Sequence, residues 1–234
     1  DSRPAGPDVR LSTRWALTFA LRNNAQIFRI DQGMVIAYAT EKSRQTHKNN
    51  RHMNYRILGK TGFRISDISL GTWQVGGRWG DAFDDRSAER ILNHAIDHGV
   101  NFIDTADVYS DGLSEAAVGR VVRARRERVY VATKCGRRIQ PHVNSGYQPS
   151  VLRGFVEDSL RNTGLETIDL IQLHCPPTEV YYRPEIFSLF DDLKREGKIQ
   201  NLGVSVEKVE EALKAIQYDN VTTVQIIFNM FRQR

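Results

Sequence analysis

From residue 68 onward the chain alternates short apolar runs with amphipathic stretches, and that alternation limits its possible folds more than any other feature. The run 68–73 reads as a strand, and 87–98 as a helix closed by Gly99. Further strands are expected at 102–104, 129–134, 168–174, 199–205 and 224–228, with helices at 114–123, 149–163, about 184–196 and 206–217. Such βα units imply a parallel sheet covered by helices, either doubly wound or a (β/α)8 barrel. The dinucleotide glycine fingerprint is missing, because VGGRWG at 75–80 has the wrong spacing, and no P-loop pattern occurs. These features favour the α/β barrel. A closed barrel needs eight strands and typically about 250 residues, so a TIM barrel present only through about its sixth strand is expected. Its sheet would carry an open edge. Before it, YRILGKTGFRIS at 55–66 reads as a β-hairpin turning at Lys60-Thr61-Gly62, a cap on something larger because an isolated hairpin is marginal.

The net charge of +5 invites a nucleic-acid or membrane-surface reading until its position is examined. Residues 1–52 hold nine Lys/Arg and four Asp/Glu, leaving 24 basic and 24 acidic residues of the chain's 33 and 28 for 53–234. The basicity therefore lies outside the patterned region, and no nucleic-acid partner is expected. Arginines at 120, 123, 125, 126 and 128 read as a cationic helix end and connector. Two apolar patches in the first segment, 15–21 and 34–39, show no sustained period and fall far below the roughly 18 residues needed to cross a bilayer. That segment faintly resembles an organellar presequence or a signal peptide. The chain starts with Asp1, and Met53 directly precedes the patterned region. Residues 1–52 are accordingly expected to be a basic extension upstream of a natural start at Met53, with 53–234 as the domain. Cys135 and Cys175 form no C-x-x-C, which points to a reduced cytoplasmic setting, and no metal-ligand spacing accompanies them.

In (β/α)8 barrels the reactive groups collect at the C-terminal ends of the strands. Here NFID ends in Asp104, with Tyr109 five residues on; VYVATK ends in Lys134; DLIQLH ends in His174. Taken singly, each has a structural explanation, as an ion pair, a loop anchor or a rim hydrogen bond. Together they would converge on one rim. Trp79, Tyr147 and the loop 74–83 could wall a substrate pocket or pack over the rim, and the sequence does not choose between these.

The ordered combination MNYRILGKTGFRISDISLGTW, NFIDTADVYSDGLSE, VYVATK, IDLIQLH, GKIQNLGVSV and VQIIFN resembles the aldo-keto reductases over essentially all of 53–234 and none of 1–52. The resemblance implies an oxidoreductase that reduces aldehyde or ketone carbonyls by hydride transfer from NADPH, with NADH still open. The family's Asp, Tyr, Lys and His positions fall on Asp104, Tyr109, Lys134 and His174. Tyr109 would be the general acid, with Lys134 lowering its pKa, Asp104 holding Lys134 and His174 positioning the carbonyl. Ser205 and Gln225 would meet the nicotinamide carboxamide, with Gly71, Thr72 and Trp73 lining the cofactor side of the first strand. Where many relatives carry Ser-Asn, this chain has Ser205-Val206, with Val206 expected at a helix start. The same family also includes potassium-channel β subunits, so a non-catalytic or regulatory cofactor-binding barrel, or a truncated product of little activity, are the alternatives.

Overall fold

The computed structural model describes residues 25–27, 37–39, 53–77, 82–227 and 229. Six strands, β5 (Leu70–Gly71), β6 (Phe102–Asp104), β7 (Tyr130–Cys135), β8 (Ile168–His174), β9 (Ile199–Val206) and β10 (Val221–Ile226), form one parallel sheet in chain order. Helices α1 (Asp85–Asp97), α2 (Leu113–Ala124), α3 (Pro149–Thr163), α4 (Pro184–Arg195) and α5 (Val209–Ala215) connect them. The result is an open, partial (β/α) barrel.

Each helix follows from a legible pattern. In α1, Ala88, Leu92 and Ile96 recur every four residues and are buried, while Asp84 caps the start by accepting from the Ser87 N–H at 3.1 Å. Pro149 opens α3, where its missing N–H costs nothing. Gly119 lets α2 approach α3 closely, since a Cβ there would lie 1.9 Å from the Thr163 carbonyl oxygen. The outer core joins strands to helices through Leu152, Val156, Ile171, Phe187, Phe190 and Val204 among others.

Strands β3 (Tyr55–Ile57) and β4 (Arg64–Ser66) pair antiparallel as expected from the hairpin pattern. Leu58 and Ile65 pack on Phe102, Ala132 and Leu170, near the N-terminal ends of their strands. Phe63 stacks on Tyr130 at 4.4 Å, and the Lys60 N–H donates to the Thr222 carbonyl at 3.1 Å. The hairpin thus closes the end of the sheet opposite the strand C-termini.

Among the boundaries that differ from the sequence pattern, three have a clear physical reason. β5 is only two residues long, because Ile68 and Trp73 are 54% and 49% exposed and stand outside the ladder. β10 starts at Val221, earlier than expected, because two of its buried positions are the polar Thr223 and Gln225, which hide the apolar period. The expected strand end at Phe228 lies outside the described residues. Val206 does not start a helix: it ends β9, and α5 begins at Val209, with Glu211 in its first turn accepting the Glu207 and Lys208 N–H groups at 3.2 Å each. Within the first 52 residues, β1 (Ala25–Ile27) and β2 (Ala37–Ala39) pair antiparallel, and β2 runs with Cα atoms within 8 Å of β10.

Candidate active site

The strand C-termini bring Asp104, Tyr109, Lys134 and His174 into one cleft. Asp104 ends β6 and Lys134 is the penultimate residue of β7, and both are 2% exposed. The Lys134 ammonium donates to Asp104 Oδ2 at 2.7 Å and to the Thr105 carbonyl at 2.9 Å. An ammonium has three protons, so one remains for the phenol of Tyr109, whose ring centroid is 5.2 Å from Nζ. Tyr109 opens a short 3-10 turn after β6. His174 ends β8 and meets the Tyr109 ring edge-on, centroids 6.0 Å apart and planes at 85°.

Burial alone would push the Lys134 ammonium down, but the Asp104 and Tyr109 oxygens outweigh it and hold its pKa above the usual lysine value. For Tyr109, burial pushes the phenol up, Lys134 pulls it down, Asp104 pushes up again, and the net lies above the ordinary value. Lys134 therefore acts in the expected direction, yet desolvation wins in the folded chain. Burial, reinforced by the Lys134 charge, holds His174 well below the ordinary histidine value, so the ring is neutral at pH 7.

The backbone turns into the left-handed region directly after two of these side chains: Ser110 and Asp111 have φ of 49° and 52°, and Cys175 has φ of 46°. Non-glycine residues adopt this only where surroundings impose it, and functional sites are common places for it. No local sequence signal marks these positions.

Ser205, 8% exposed, and Gln225, 5% exposed, face the same cleft, which Cys175, Val206, Ile226 and Ile227 complete among the described residues. Gln225 Nε2 donates to Asp104 Oδ2 at 3.2 Å. A hydroxyl and a side-chain amide at one wall offer both donors and acceptors, the set a carboxamide needs, so these residues fit a nicotinamide ring. Gly71, Thr72 and Trp73 lie outside this lining; Thr72 is fully buried and its hydroxyl accepts from Ser114 Oγ at 2.8 Å. Tyr147 is also fully buried, donating to the Gly136 carbonyl at 3.1 Å, and so packs under the rim rather than lining the cleft. Trp79 lies outside the described residues.

Sequence reasoning passed over Gln172. It is fully buried on β8, and its Nε2 donates to Asp104 Oδ1 at 3.1 Å. The signal was present: in DLIQLH it is a polar residue two positions before His174, hence on the same strand face.

Three arginines of the cationic stretch have structural partners. Arg120 pairs with Asp85 and Glu89, Arg125 with Asp97 and Glu127, and Arg128 with Asp169. No described helix is long and apolar enough to cross a membrane. Among the described residues no group of three or more His, Cys, Asp or Glu could hold a metal ion.

The model of the Aldo/keto reductase family matches residues 67–234. Aldo-keto reductase YhdN from Bacillus subtilis is 30% identical over 188 residues, covering 77% of this chain and 55% of that protein. Among solved structures, the holo form of aldo-keto reductase AKR11C1 from Bacillus halodurans is 30% identical, with a TM-score of 0.63 over 73% of this chain and 56% of that one. An aldo/keto reductase from Klebsiella pneumoniae, solved in complex with NADP and acetate, is 29% identical, with a TM-score of 0.54 over 67% of this chain and 51% of that one. The chain thus spans about half the length of the relatives it matches.

Proposed function

The chain belongs to the aldo/keto reductase family, and from that premise we propose that the protein carrying it reduces aldehyde or ketone carbonyls with a reduced nicotinamide dinucleotide, NADPH in the first instance. The observation that carries the reading is the buried Lys134 ammonium. Asp104 and Thr105 take two of its protons, and the third is left for Tyr109.

Ser205 and Gln225 would hold the carboxamide of a nicotinamide cofactor, which when bound would supply the hydride for a carbonyl carbon. The carbonyl oxygen then gains negative charge and needs a proton or a strong hydrogen bond. Tyr109, held protonated at neutral pH by its burial, donates that proton. The phenolate left behind faces Lys134, whose charge stabilises it at the moment it forms. His174, neutral and edge-on to Tyr109, hydrogen-bonds the same oxygen without competing as a stronger acid. Ile226 and Ile227 add apolar wall, which limits water around the developing charge.

The test is Tyr109→Phe, assayed by nicotinamide absorbance against a panel of aldehydes and ketones, with cofactor affinity measured separately. Turnover is expected to fall by about 10²–10⁴-fold, the typical contribution of a positioned acid, with cofactor affinity retained. Near-normal turnover in that variant would remove Tyr109 from the role. Tight cofactor binding by the wild type without turnover on any carbonyl would replace the reductase reading with a regulatory one.

A further inference from the structure

Asp104 is the hub of the site, and its two oxygens are held differently. Oδ2 receives Lys134 and Gln225, whereas Oδ1 receives one side-chain donor among the described residues, the Gln172 amide. We propose that Gln172 is a positioning residue for the reaction, pinning Asp104 so that Lys134 presents its remaining proton to Tyr109; the inference rests on the reductase reading above.

Gln172 is fully buried in a strand whose other residues from Leu170 to Leu173 are apolar. Among the described residues its Oε1 has no hydrogen-bond partner, so the amide is only half satisfied by them. A buried unpaired amide oxygen is destabilising, and an aliphatic side chain would fill the same space without that penalty. A polar group kept at such a cost, with its one hydrogen bond aimed at the central carboxylate, marks a site requirement rather than a packing one. In register, Lys134 lies opposite Gln172 and Gln172 opposite Gly203. A Cβ on Gly203 would lie 2.1 Å from Thr223 Oγ1 and 3.2 Å from Gln172 Cγ, so glycine chiefly makes room for Thr223 and also spares Gln172 a tight contact.

A carboxylate turns easily about its last torsion, and Lys134 and Gln225 both hold Oδ2. Gln172 fixes the other oxygen and hence the plane of the group. It also disperses part of the negative charge that Lys134 meets. Without the Oδ1 bond, Asp104 draws the ammonium more strongly, the Tyr109 phenolate is less stabilised, and Tyr109 becomes a weaker acid.

The experiment compares Gln172→Met, of equal length but with no N–H, and Gln172→Glu with wild type. Tyr109 is titrated by 13C NMR of labelled tyrosine between pH 8 and 12, its signal identified by its loss in Tyr109→Phe, and kcat and KM for carbonyl reduction are measured across pH. Gln172→Met is expected to raise the Tyr109 titration by about half a unit and lower kcat by about threefold, with the cofactor KM unchanged. A buried glutamic acid against the Asp104 carboxylate keeps its proton and donates it to Oδ1, so Gln172→Glu returns both readouts towards wild type. If Gln172→Met does not fold, Gln172→Asn, too short to reach Oδ1, stands in for it. A Tyr109 titration that does not move on losing the Oδ1 donor overturns the proposal, as does an equal shift in the Met and Glu variants. Failure of the wild type to reduce any carbonyl would instead refute the reductase reading, and the NMR titration would still report on Gln172.

Discussion

Asp107 is the buried ionisable group whose substitution the structure predicts most sharply. Three residues beyond Asp104, it is fully buried, and among the described residues neither carboxyl oxygen has a hydrogen-bond partner of normal geometry. Burial, with Glu115 adding to it, raises its pKa from 3.8 to about 7, against opposing pulls from Arg138, the Val108 N–H and Lys134. The folded chain therefore binds a proton at Asp107 that the unfolded chain has lost over the window from about pH 4 to 7. Stability must fall as pH rises through that window, the reverse of the usual behaviour of a paired carboxylate. Asp107→Asn removes the ionisation and keeps the shape. Between pH 5 and pH 8.5 about two pKa units of this penalty accumulate, so at 1.36 kcal/mol per unit the variant should gain roughly 3 kcal/mol on wild type across that interval. For a domain of this size that is an advantage growing by roughly 6–12 °C in Tm. Thermal unfolding of both proteins by circular dichroism at pH 5, 7 and 8.5 measures it. A difference in Tm that stays constant with pH would refute the reasoning, because it would mean that Asp107 is already ionised and paired in the folded chain.

Three further outcomes follow from the geometry. Lys134→Met leaves the buried Asp104 carboxylate without its cation and should cost about 3–5 kcal/mol, read from urea unfolding; a loss below about 1 kcal/mol would show the pair to be dispensable. Gly119→Ala drives a methyl into the Thr163 carbonyl and should destabilise by about 1–3 kcal/mol, whereas unchanged stability would mean that α2 and α3 separate freely. Because His174 is held below the ordinary histidine value of 6.5, the unfolded chain protonates there first; its contribution to stability is lost as pH falls through about 6.5, opposing the slope from Asp107, so His174→Gln should gain on wild type over that range. Parallel acid slopes for the two proteins would contradict the burial of that ring as a neutral group.

Much of this architecture was legible because parallel strands and their covering helices leave opposite periodicities. The runs ending in Asp104, Lys134 and His174 stand out as apolar segments finished by a charged or titratable group, and Gly99 and Gly164 mark helix ends. What the pattern hid were places where the buried face itself is polar. Thr223 and Gln225 in β10, and Gln172 in β8, point inward where an apolar residue would be expected, so periodicity misplaced one strand boundary and passed over one member of the site. Val206 was misread for the opposite reason: it follows a serine and precedes charged residues, yet the strand ladder, pairing it with Ile226, keeps it in β9.

The sequence by itself determined the order of strands and helices, the hairpin that precedes the parallel sheet, and the side chains that finish the strands, since these depend on local period and on which residues end each run. Only the tertiary structure decided how those side chains act on one another. That Lys134 keeps its charge although wholly buried, that burial outweighs Lys134 at Tyr109, and that the Gln172 amide reaches Asp104 Oδ1 are consequences of distance and desolvation between strands far apart in the chain. Such terms have no local signature, because the same residues at the same spacing carry different charges in water and inside a barrel.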